Sequence, residues 1–424
     1  MKILRTLIIS LFTAATTLTA GAQTEAGAQT PASADAINTA AMKAHNDSLT
    51  AAAASPDYIQ VSLLVATPGL EVYSTFGHAA IRMQCPSKGV DKCFEFASLV
   101  NVSSTLEFIK GTMEGMFMRL YTKDYIDRYR KEGRGVTELK LNLTPEEKVN
   151  LWRLADQQCN PDNSWRFDYM VNYCSYMAAW LVESSLDGAT ITLHDPMPEI
   201  LGTHREAFRS YQKVSPWSFQ FWNMLMGTFG DEPTEPKSLL YPVFITDTWK
   251  KSTITDREGN ERPLVTSEKV LTKATRIDKP VQPTPLTVMI VLLVLAIGVS
   301  IVEWRKGYNI ACRITDTVLF AVQFLVGLLI TYLLVFSHQV ATEWNWLIIA
   351  FNPLPLLLWI CLRRKPVMRR LYRLFTVVVV AFALCTPFMP QLLFSQLYVL
   401  LAAFAVRTFV NGWIVKCSFP CHGN

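Results

Sequence analysis

The chain has 424 residues, of which 50% are apolar and only 18% are charged, and its formal net charge is +5. This charged fraction is low for a soluble protein of this length, and the apolar runs are concentrated after about Pro285. The densest basic run, residues 363–373, lies between two apolar stretches, where it indicates membrane topology rather than a polyanionic partner. Nucleic-acid binding is therefore not predicted.

Residues 1–22 are predicted to be a signal peptide. Lys2 and Arg5 give the positively charged start, residues 8–18 the apolar core, and the small residues 20–22 a cleavage site. The apolar stretch is too short to span a membrane comfortably. Residues 23–55 are mostly Ala, Thr and Ser, cannot bury enough apolar surface to fold, and are predicted to form a disordered linker.

Residues 56–280 are predicted to form one α+β domain outside the membrane. Alternating apolar residues predict strands over residues 57–66, 75–83, 92–97 and 136–143. Helical spacing predicts a helix over residues 105–118, and Thr144 with the following Pro-Glu-Glu predicts the start of another. A further helix is expected from about Asn172 to Ser185.

Four cysteines fall in this domain, whose compartment is oxidising, so paired structural cysteines are expected. Cys85 ends one predicted strand and Cys93 begins the next, a hairpin arrangement suited to a disulfide. Cys159 and Cys174 could form a second disulfide. The alternative for Cys174 follows from its place in the first turn of a predicted helix, because a helix amino terminus stabilises a thiolate and makes the sulfur a nucleophile.

A thiol nucleophile needs a base, and His78 is the best placed histidine in the sequence. It lies at the start of a strand just after a glycine, which would hold its ring rigidly in a cleft. The other histidines lie in the linker, in the unassigned segment 190–285, in a membrane loop or in the carboxy-terminal tail. A distant Cys and His do not by themselves define a catalytic pair.

A bundle of five transmembrane helices is predicted after this domain. Each apolar segment can cross the roughly 30 Å hydrocarbon core as a helix. Basic residues follow the first, third and fifth segments, whereas loops 337–344 and 387–391 carry neither Lys nor Arg. This asymmetry predicts a multi-pass protein of the bacterial inner membrane, with the soluble domain in the periplasm and the carboxy terminus in the cytoplasm. The segments are residues 286–304, 316–336, 345–362, 373–390 and 391–412.

The loop between the second and third spans lies on the same outer side as the soluble domain. One interpretation is an interfacial loop whose tryptophans, Trp344 and Trp346, form part of an aromatic belt. The other is that His338 and Asn345 in this loop bind substrate and complete a lipid site facing the soluble domain.

Four short motifs occur in a fixed order: FGHAAIR at residues 76–82, LNLTPEE at 141–147, FDY at 167–169 and NYC at 172–174. This ordered set resembles the Lnb family, the Bacteroides-type lipoprotein N-acyltransferases, over roughly residues 57–190. Two positions differ from the pattern common in that family. Tyr173 stands before the cysteine in place of Asn, and Met177 stands three residues after it in place of Arg.

The resemblance implies a circularly permuted NlpC/P60 (papain-like) fold, in which the histidine strand precedes the cysteine helix. Carried over, Cys174 is the nucleophile and His78 the base, and the backbone N–H of Ser175 or of Cys174 holds the oxyanion. Glu95, on the strand after His78, is the candidate for a third residue that orients the histidine. The alternative for Glu95 is an ordinary surface carboxylate.

The activity implied is acyl transfer at the membrane. A thiolate attacks an ester of a phospholipid, and the resulting acyl thioester is passed to the N-terminal amine of a diacylglyceryl lipoprotein. The partners are therefore a phospholipid acyl donor, a lipoprotein acceptor and the membrane, with no cofactor.

Two other functions stay open on the sequence alone. The same Cys–His pair could serve a periplasmic hydrolase of amide, ester or peptidoglycan bonds, which would favour an open polar groove. A non-catalytic envelope module would instead have Cys159 and Cys174 joined in a disulfide. No phosphate-binding glycine loop, C-x-x-C or H-E-x-x-H motif is present in the sequence, so nucleotide and metal sites are not predicted.

Overall fold

The computed structural model describes the soluble domain and most of the membrane region. The described residues are 59–70, 74, 76–98, 110–168, 170, 172–194, 202–209, 216–234, 241–275, 282–354 and 367–414. The predicted signal peptide (1–22) and linker (23–55) lie outside the described residues, as does the predicted third span from residue 355 onward.

Among the described residues, ten strands belong to the soluble domain: β1 (Gln60–Ala66), β2 (His78–Cys85), β3 (Val90–Ser98), β4 (Glu114–Tyr121), β5 (Val136–Leu141), β6 (Trp165–Arg166), β7 (Thr190–Thr192), β8 (Thr253–Thr255), β9 (Glu261–Pro263) and β10 (Val265–Thr272). Seven of them form an antiparallel sheet in the order β10-β5-β1-β2-β3-β4-β6, and β7, β8 and β9 form a small second sheet. The pairing of β1 with β2 places Ala66 opposite His78, at one end of the two central strands.

Six helices accompany these sheets in the part of the domain that the structure describes: α1 (Thr122–Lys131), α2 (Pro145–Gln158), α3 (Cys174–Glu183), α4 (His204–Arg209), α5 (Pro216–Leu225) and α6 (Pro242–Lys251). The start of α2 confirms its sequence signature, because the Thr144 hydroxyl accepts from the Glu147 N–H while the Glu147 carboxylate accepts from the Thr144 N–H. Helix α3 packs on β2 and β3, which brings its first residue to the end of the sheet where His78 lies.

Apolar clusters cover both faces of the large sheet. The larger cluster joins the sheet to α2, α3 and α6 and includes Trp152 and Trp249, which are at most 1% exposed. The smaller cluster lies on the opposite face, where Tyr125 and Tyr129 of α1 pack beside Cys93. Each buried aromatic side chain removes about 150–250 Å² of surface from water. These clusters therefore fix α1 and α3 on opposite faces of the strands that carry the site.

Of the helix predicted over residues 105–118, residues 105–109 lie outside the described residues, Lys110 is helical, and the prediction is wrong for residues 111–118. Residues 114–118 belong to β4, which pairs with β3 so that Phe96 lies opposite Phe117. The sequence of β4 is rich in Met and Leu, which favour helices, but Phe117 is fully buried and packs edge-to-face on Phe96. Packing in the sheet outweighs the weak local preference for helix.

The predicted Cys85–Cys93 disulfide is also wrong, because both thiols are free. In the β2–β3 register, Cys93 lies opposite Arg82 and Cys85 lies opposite Val90. Side chains alternate between the faces of a sheet, so Cys93 shares a face with Arg82 while Cys85 points to the other face. Cys85 accordingly belongs to the larger apolar cluster and Cys93 to the smaller one.

The membrane region contains four helices among the described residues that are long and apolar enough to cross a bilayer. They begin with α7 (Pro285–Lys306) and α8 (Ile310–Phe336), followed by α9 (Val367–Cys385) and α10 (Ser395–Phe409). In the part of the predicted third span that is described, the structure has a short 3-10 turn, Trp346–Ile349. The structure is thus a mixed α/β domain followed by a helical membrane region, and five helices are not confirmed.

Candidate active site

Cys174 is the first residue of α3, as expected from the sequence. Its amino-terminal neighbour Tyr173 has an extended backbone and, among the described side chains, none caps the helix. The first N–H groups of α3 therefore stay available to the sulfur, and the Ser175 N–H donates to it. A second donor comes from the sheet, because the Ala79 N–H also donates to the sulfur.

His78 is brought to this sulfur by the backbone at the start of β2. Gly77 has φ +87°, and a Cβ atom there would lie 2.5 Å from the Ala66 carbonyl oxygen, so only glycine fits without strain. The next residue, His78, begins the strand, and its side chain is 18% exposed. Its ring lies close enough to the Cys174 side chain for each group to shift the pKa of the other.

The two partners stabilise each other's charged forms. Burial works against the thiolate, but the charge of His78, its hydrogen bond and the two backbone donors together lower the pKa of Cys174. Burial likewise works against the imidazolium, yet Cys174 and Glu95 outweigh it and raise the pKa of His78 to about 10. Both shifts favour the thiolate–imidazolium form of the pair, which is the reactive form of a thiol nucleophile.

Glu95 is the partner of His78 on the next strand. Its Oε2 lies 3.0 Å from Nε2 of His78, which leaves Nδ1 as the ring nitrogen for the thiol. The carboxylate is 1% exposed, and although burial favours its neutral form, His78 and Arg128 lower its pKa. The structure thus places Glu95 in the site rather than on the surface, in the geometry of a residue that orients a histidine.

Arg128 and two tyrosines of the site were not predicted from the sequence, and all three lie on α1. Arg128 Nη1 donates to Glu95 Oε1 at 3.0 Å. The rings of Tyr125 and Tyr129 lie 6.2 and 6.1 Å from the His78 ring. Arg128 and Tyr129 follow Tyr125 by three and four residues, a spacing that places all three on one face of a helix. Residues 122–131 were not predicted to form a helix, so this spacing was not recognised.

Cys93 and Cys159 differ from Cys174 in their electrostatic environment. Cys159 and Cys174 are both free thiols, so the disulfide proposed for a non-catalytic module is absent from the described residues. Burial raises the pKa of Cys159 to about 12 and raises that of Cys93 as well. Of these three thiols, Cys174 alone has a pKa shifted toward the thiolate.

The two departures from the family pattern have structural explanations. Tyr173 stacks on Tyr241 with a ring-centroid distance of 4.6 Å. Met177 is 1% exposed and packs in the larger apolar cluster beneath α3, where an unpaired arginine would place a charge in the core.

The outer-loop residues predicted to bind substrate have different surroundings from those expected. Asn345 is 3% exposed; its Nδ2 donates to the Met224 carbonyl at 2.8 Å, and its Oδ1 accepts from Gln391 at 3.2 Å. Its amide therefore joins the two outer loops to the end of α5. His338 is exposed, and it is its backbone N–H that contacts the protein, donating to the Lys110 carbonyl at 2.6 Å.

The comparisons with known proteins match both parts of the chain. The family model described as the Lnb N-terminal periplasmic domain matches residues 46–208, which include the Cys174–His78 pair. A second one, described as the Lnb transmembrane domain, matches residues 277–418. The chain belongs to the Lnb family. Neither the curated proteins nor the solved structures give a match.

Membership of the Lnb family agrees with the architecture. The chain is a multi-pass membrane protein whose amino-terminal domain is periplasmic. Family membership is consistent with a membrane-anchored periplasmic enzyme. Within the described residues, no group of three or more side chains is arranged to hold a metal ion.

Proposed function

We propose that this Lnb protein is a lipoprotein N-acyltransferase that works through an acyl thioester on Cys174, and that it resides in the bacterial inner membrane with its carboxy terminus in the cytoplasm. The observation that carries the proposal is the Cys174–His78–Glu95 arrangement, in which a buried carboxylate supports an imidazolium beside a thiol of lowered pKa. We also propose that the domain has the permuted NlpC/P60 arrangement, since its histidine strand precedes its cysteine helix.

The first half-reaction forms the thioester. The Cys174 thiolate attacks the ester carbonyl carbon of a phospholipid, and the backbone N–H of Ser175 or of Cys174 stabilises the oxyanion. The C–O ester bond then breaks, and the His78 imidazolium gives its proton to the leaving lysophospholipid alkoxide. The acyl chain is now held as a thioester and His78 is neutral.

The second half-reaction restores the enzyme. The N-terminal amine of a diacylglyceryl lipoprotein attacks the thioester carbonyl, and neutral His78 takes the proton that the nitrogen loses. The C–S bond breaks and releases the Cys174 thiolate, so the thiolate–imidazolium pair is regenerated and the lipoprotein is triacylated. The chemistry of both steps uses only the thiol, the imidazole and backbone donors.

The deciding experiment is mass spectrometry of lipoprotein amino termini in a host without its own N-acyltransferase. Expression of the wild-type chain is expected to give triacylated termini, and the Cys174→Ser variant diacylated ones. Diacylated termini with both proteins, each present and folded, would contradict acyl transfer to an amine. Accumulation of free fatty acid by the wild type alone would then indicate the hydrolase, since water would be the acceptor.

A further inference from the structure

The loop after α8 contacts the segment that leads into the nucleophile helix. The His338 N–H donates to the Lys110 carbonyl at 2.6 Å, and the Val340 N–H donates to Asp168 Oδ2 at 3.4 Å. Between them, Gln339 is 1% exposed and its Nε2 donates to the Phe167 carbonyl at 3.5 Å. A loop that belongs to the membrane region therefore lies against residues 167–168, just ahead of Cys174 in the sequence.

Asp168 connects this loop to the start of α3. The residue is 1% exposed, and its Oδ1 accepts from the Met170 N–H at 2.7 Å. Its carbonyl oxygen accepts from the Asn172 N–H at 3.0 Å, and the two residues form an isolated β-bridge. These bonds close a tight turn of the kind that Asp side chains stabilise. The turn ends next to Tyr173, which is the residue before Cys174.

Apolar packing also connects the membrane loop to the residue before Cys174. Met170 and Tyr173 belong to one buried cluster that also contains Ala341 of the membrane loop. Tyr241, which stacks on Tyr173, belongs to this cluster as well and donates its hydroxyl hydrogen to the Met170 sulfur at 3.1 Å. The membrane loop, the turn and the residue before the nucleophile therefore pack as one unit.

We propose that Asp168 is a positioning residue through which the outer membrane loop holds Cys174 in its reactive position. The thiol is then activated only while the soluble domain is docked on the membrane helices. This inference rests on the proposed function in that it takes Cys174 as the nucleophile. The physical reason is that the pKa of Cys174 depends on His78 and on the backbone N–H groups of Ala79 and Ser175. A displacement of about 1 Å is enough to weaken such an arrangement severely.

Two matched pairs of variants test the link. Gly111 and Gly89 have nearly the same φ, +67° and +64°, so alanine strains the backbone equally at both. A Cβ atom on Gly111 would lie 2.9 Å from the Gln339 backbone nitrogen, whereas one on Gly89 would have no described atom within 4 Å. Only Gly111→Ala displaces the membrane loop.

The second pair changes the carboxylate itself. Asp168→Asn puts an NH₂ group against an N–H donor that the carboxylate accepts from, either that of Met170 or that of Val340. Asp256 makes a similar turn between β8 and β9, where its Oδ1 accepts from the Glu258 and Asn260 N–H groups. Asp256→Asn therefore repeats the chemical change in a turn without a contact to the membrane loop among the described residues.

The measurement is the rate of iodoacetamide alkylation of Cys174 against pH, on the full chain in detergent, with the site resolved by peptide mass spectrometry. In the wild type we expect alkylation to persist below the pH at which an ordinary thiol, with a pKa of about 8.5, is deprotonated. Gly111→Ala and Asp168→Asn are expected to lose about tenfold in rate at pH 7 and to shift the profile to higher pH. Gly89→Ala and Asp256→Asn are expected to match the wild type.

The outcomes separate this inference from the proposed function. Wild-type profiles in both Gly111→Ala and Asp168→Asn would overturn the positioning role while leaving the nucleophile intact. An ordinary thiol profile in the wild type would instead contradict the proposed function. Gly111→Ala could lower the Tm more than Gly89→Ala does. In that case Gln339→Ala, which removes one side chain from the same contact, is used in its place, and its alkylation profile decides whether the loop positions Cys174.

Discussion

At the scale of single residues, the site is a row of alternating charges. Arg128, Glu95, His78 and Cys174 follow one another as cation, anion, cation and anion, so each charge has an opposite neighbour and the row is neutral. A buried charge is costly unless it is paired, which explains how Glu95 stays ionised at 1% exposure. The row ends at the sulfur, where the reaction is proposed to take place.

The pKa shifts predict a bell-shaped pH profile for acyl transfer. As pH rises through the lowered pKa of Cys174, the thiolate forms and the rate increases. Above about pH 10, His78 loses its proton and can no longer protonate the leaving alkoxide, so the rate decreases.

Glu95→Gln is expected to move the alkaline limb of that profile to lower pH, because the carboxylate that raises the pKa of His78 is gone. The maximal rate is expected to fall at least about tenfold. The measurement is the pH dependence of acyl transfer, with Glu138→Gln as the control, since Glu138 pairs with Arg82 on the same sheet. An alkaline limb that stays at the wild-type pH in Glu95→Gln would show that Glu95 does not hold the imidazolium.

The sequence was sufficient to predict three members of this row and insufficient for the fourth. His78, Cys174 and Glu95 could be named from motifs and strand order, but Arg128 depends on a helix whose contacts are made across the sheet. The same limit explains the disulfide error. Strands can be predicted from alternation, but the side to which Cys85 and Cys93 each point depends on register, which is set by tertiary pairing.

At the scale of secondary-structure elements, α8 packs through Gly327 on the backbone of the segment that follows the 3-10 turn Trp346–Ile349. A Cβ atom there would collide with the Phe351 carbonyl oxygen, whereas a Cβ atom on Gly298 of α7 would have no described atom within 4 Å. We expect Gly327→Ala to destabilise the protein by about 1–3 kcal/mol through overpacking. Gly298→Ala is expected to be neutral or slightly stabilising, because alanine favours helices.

Thermal unfolding of the two glycine variants in one detergent provides this comparison. Equal unfolding temperatures for Gly327→Ala and Gly298→Ala would contradict the close packing of α8 on the Phe351 backbone.

A buried ion cluster joins three of the membrane helices. Arg407 of α10 is fully buried; its Nε donates to Asp316 of α8 at 2.6 Å and its Nη2 to Glu303 of α7 at 2.8 Å. Its Nη1 donates to the Ser300 hydroxyl at 2.8 Å. Removing one partner of such a cluster leaves uncompensated charge in a low-dielectric interior, which typically costs about 3–5 kcal/mol.

Arg407→Met is therefore expected to lower the unfolding temperature far more than Arg313→Met, which removes an exposed charge of α8. Adding Asp316→Asn and Glu303→Gln to Arg407→Met is expected to recover part of the loss, because the stranded charges disappear. If the single variant were as stable as the Arg313→Met control, the cluster would have no role in holding the three helices together.

At the scale of the whole molecule, the sequence predicted the two-part organisation and the family but not how the parts meet. Long apolar segments and the ordered motifs are local features, so they can be recognised in the sequence without knowledge of the tertiary structure. The contact between His338 and Lys110 joins residues that are far apart in the sequence. Asn345, predicted to bind substrate, links the outer loops to α5 in the structure, and no local sequence feature indicates that contact.

The hydrogen bonds from Asn345 and Gln391 to the end of α5 have a kinetic consequence. They fix the periplasmic domain to the helices, so the sulfur keeps a constant height above the bilayer. Because both proposed substrates lie in the same membrane, each would reach the enzyme by lateral diffusion, which is a two-dimensional search. The turnover rate would then depend on the mole fraction of each substrate in the membrane, and diluting vesicles with buffer would leave it unchanged while diluting them with inert lipid would slow it.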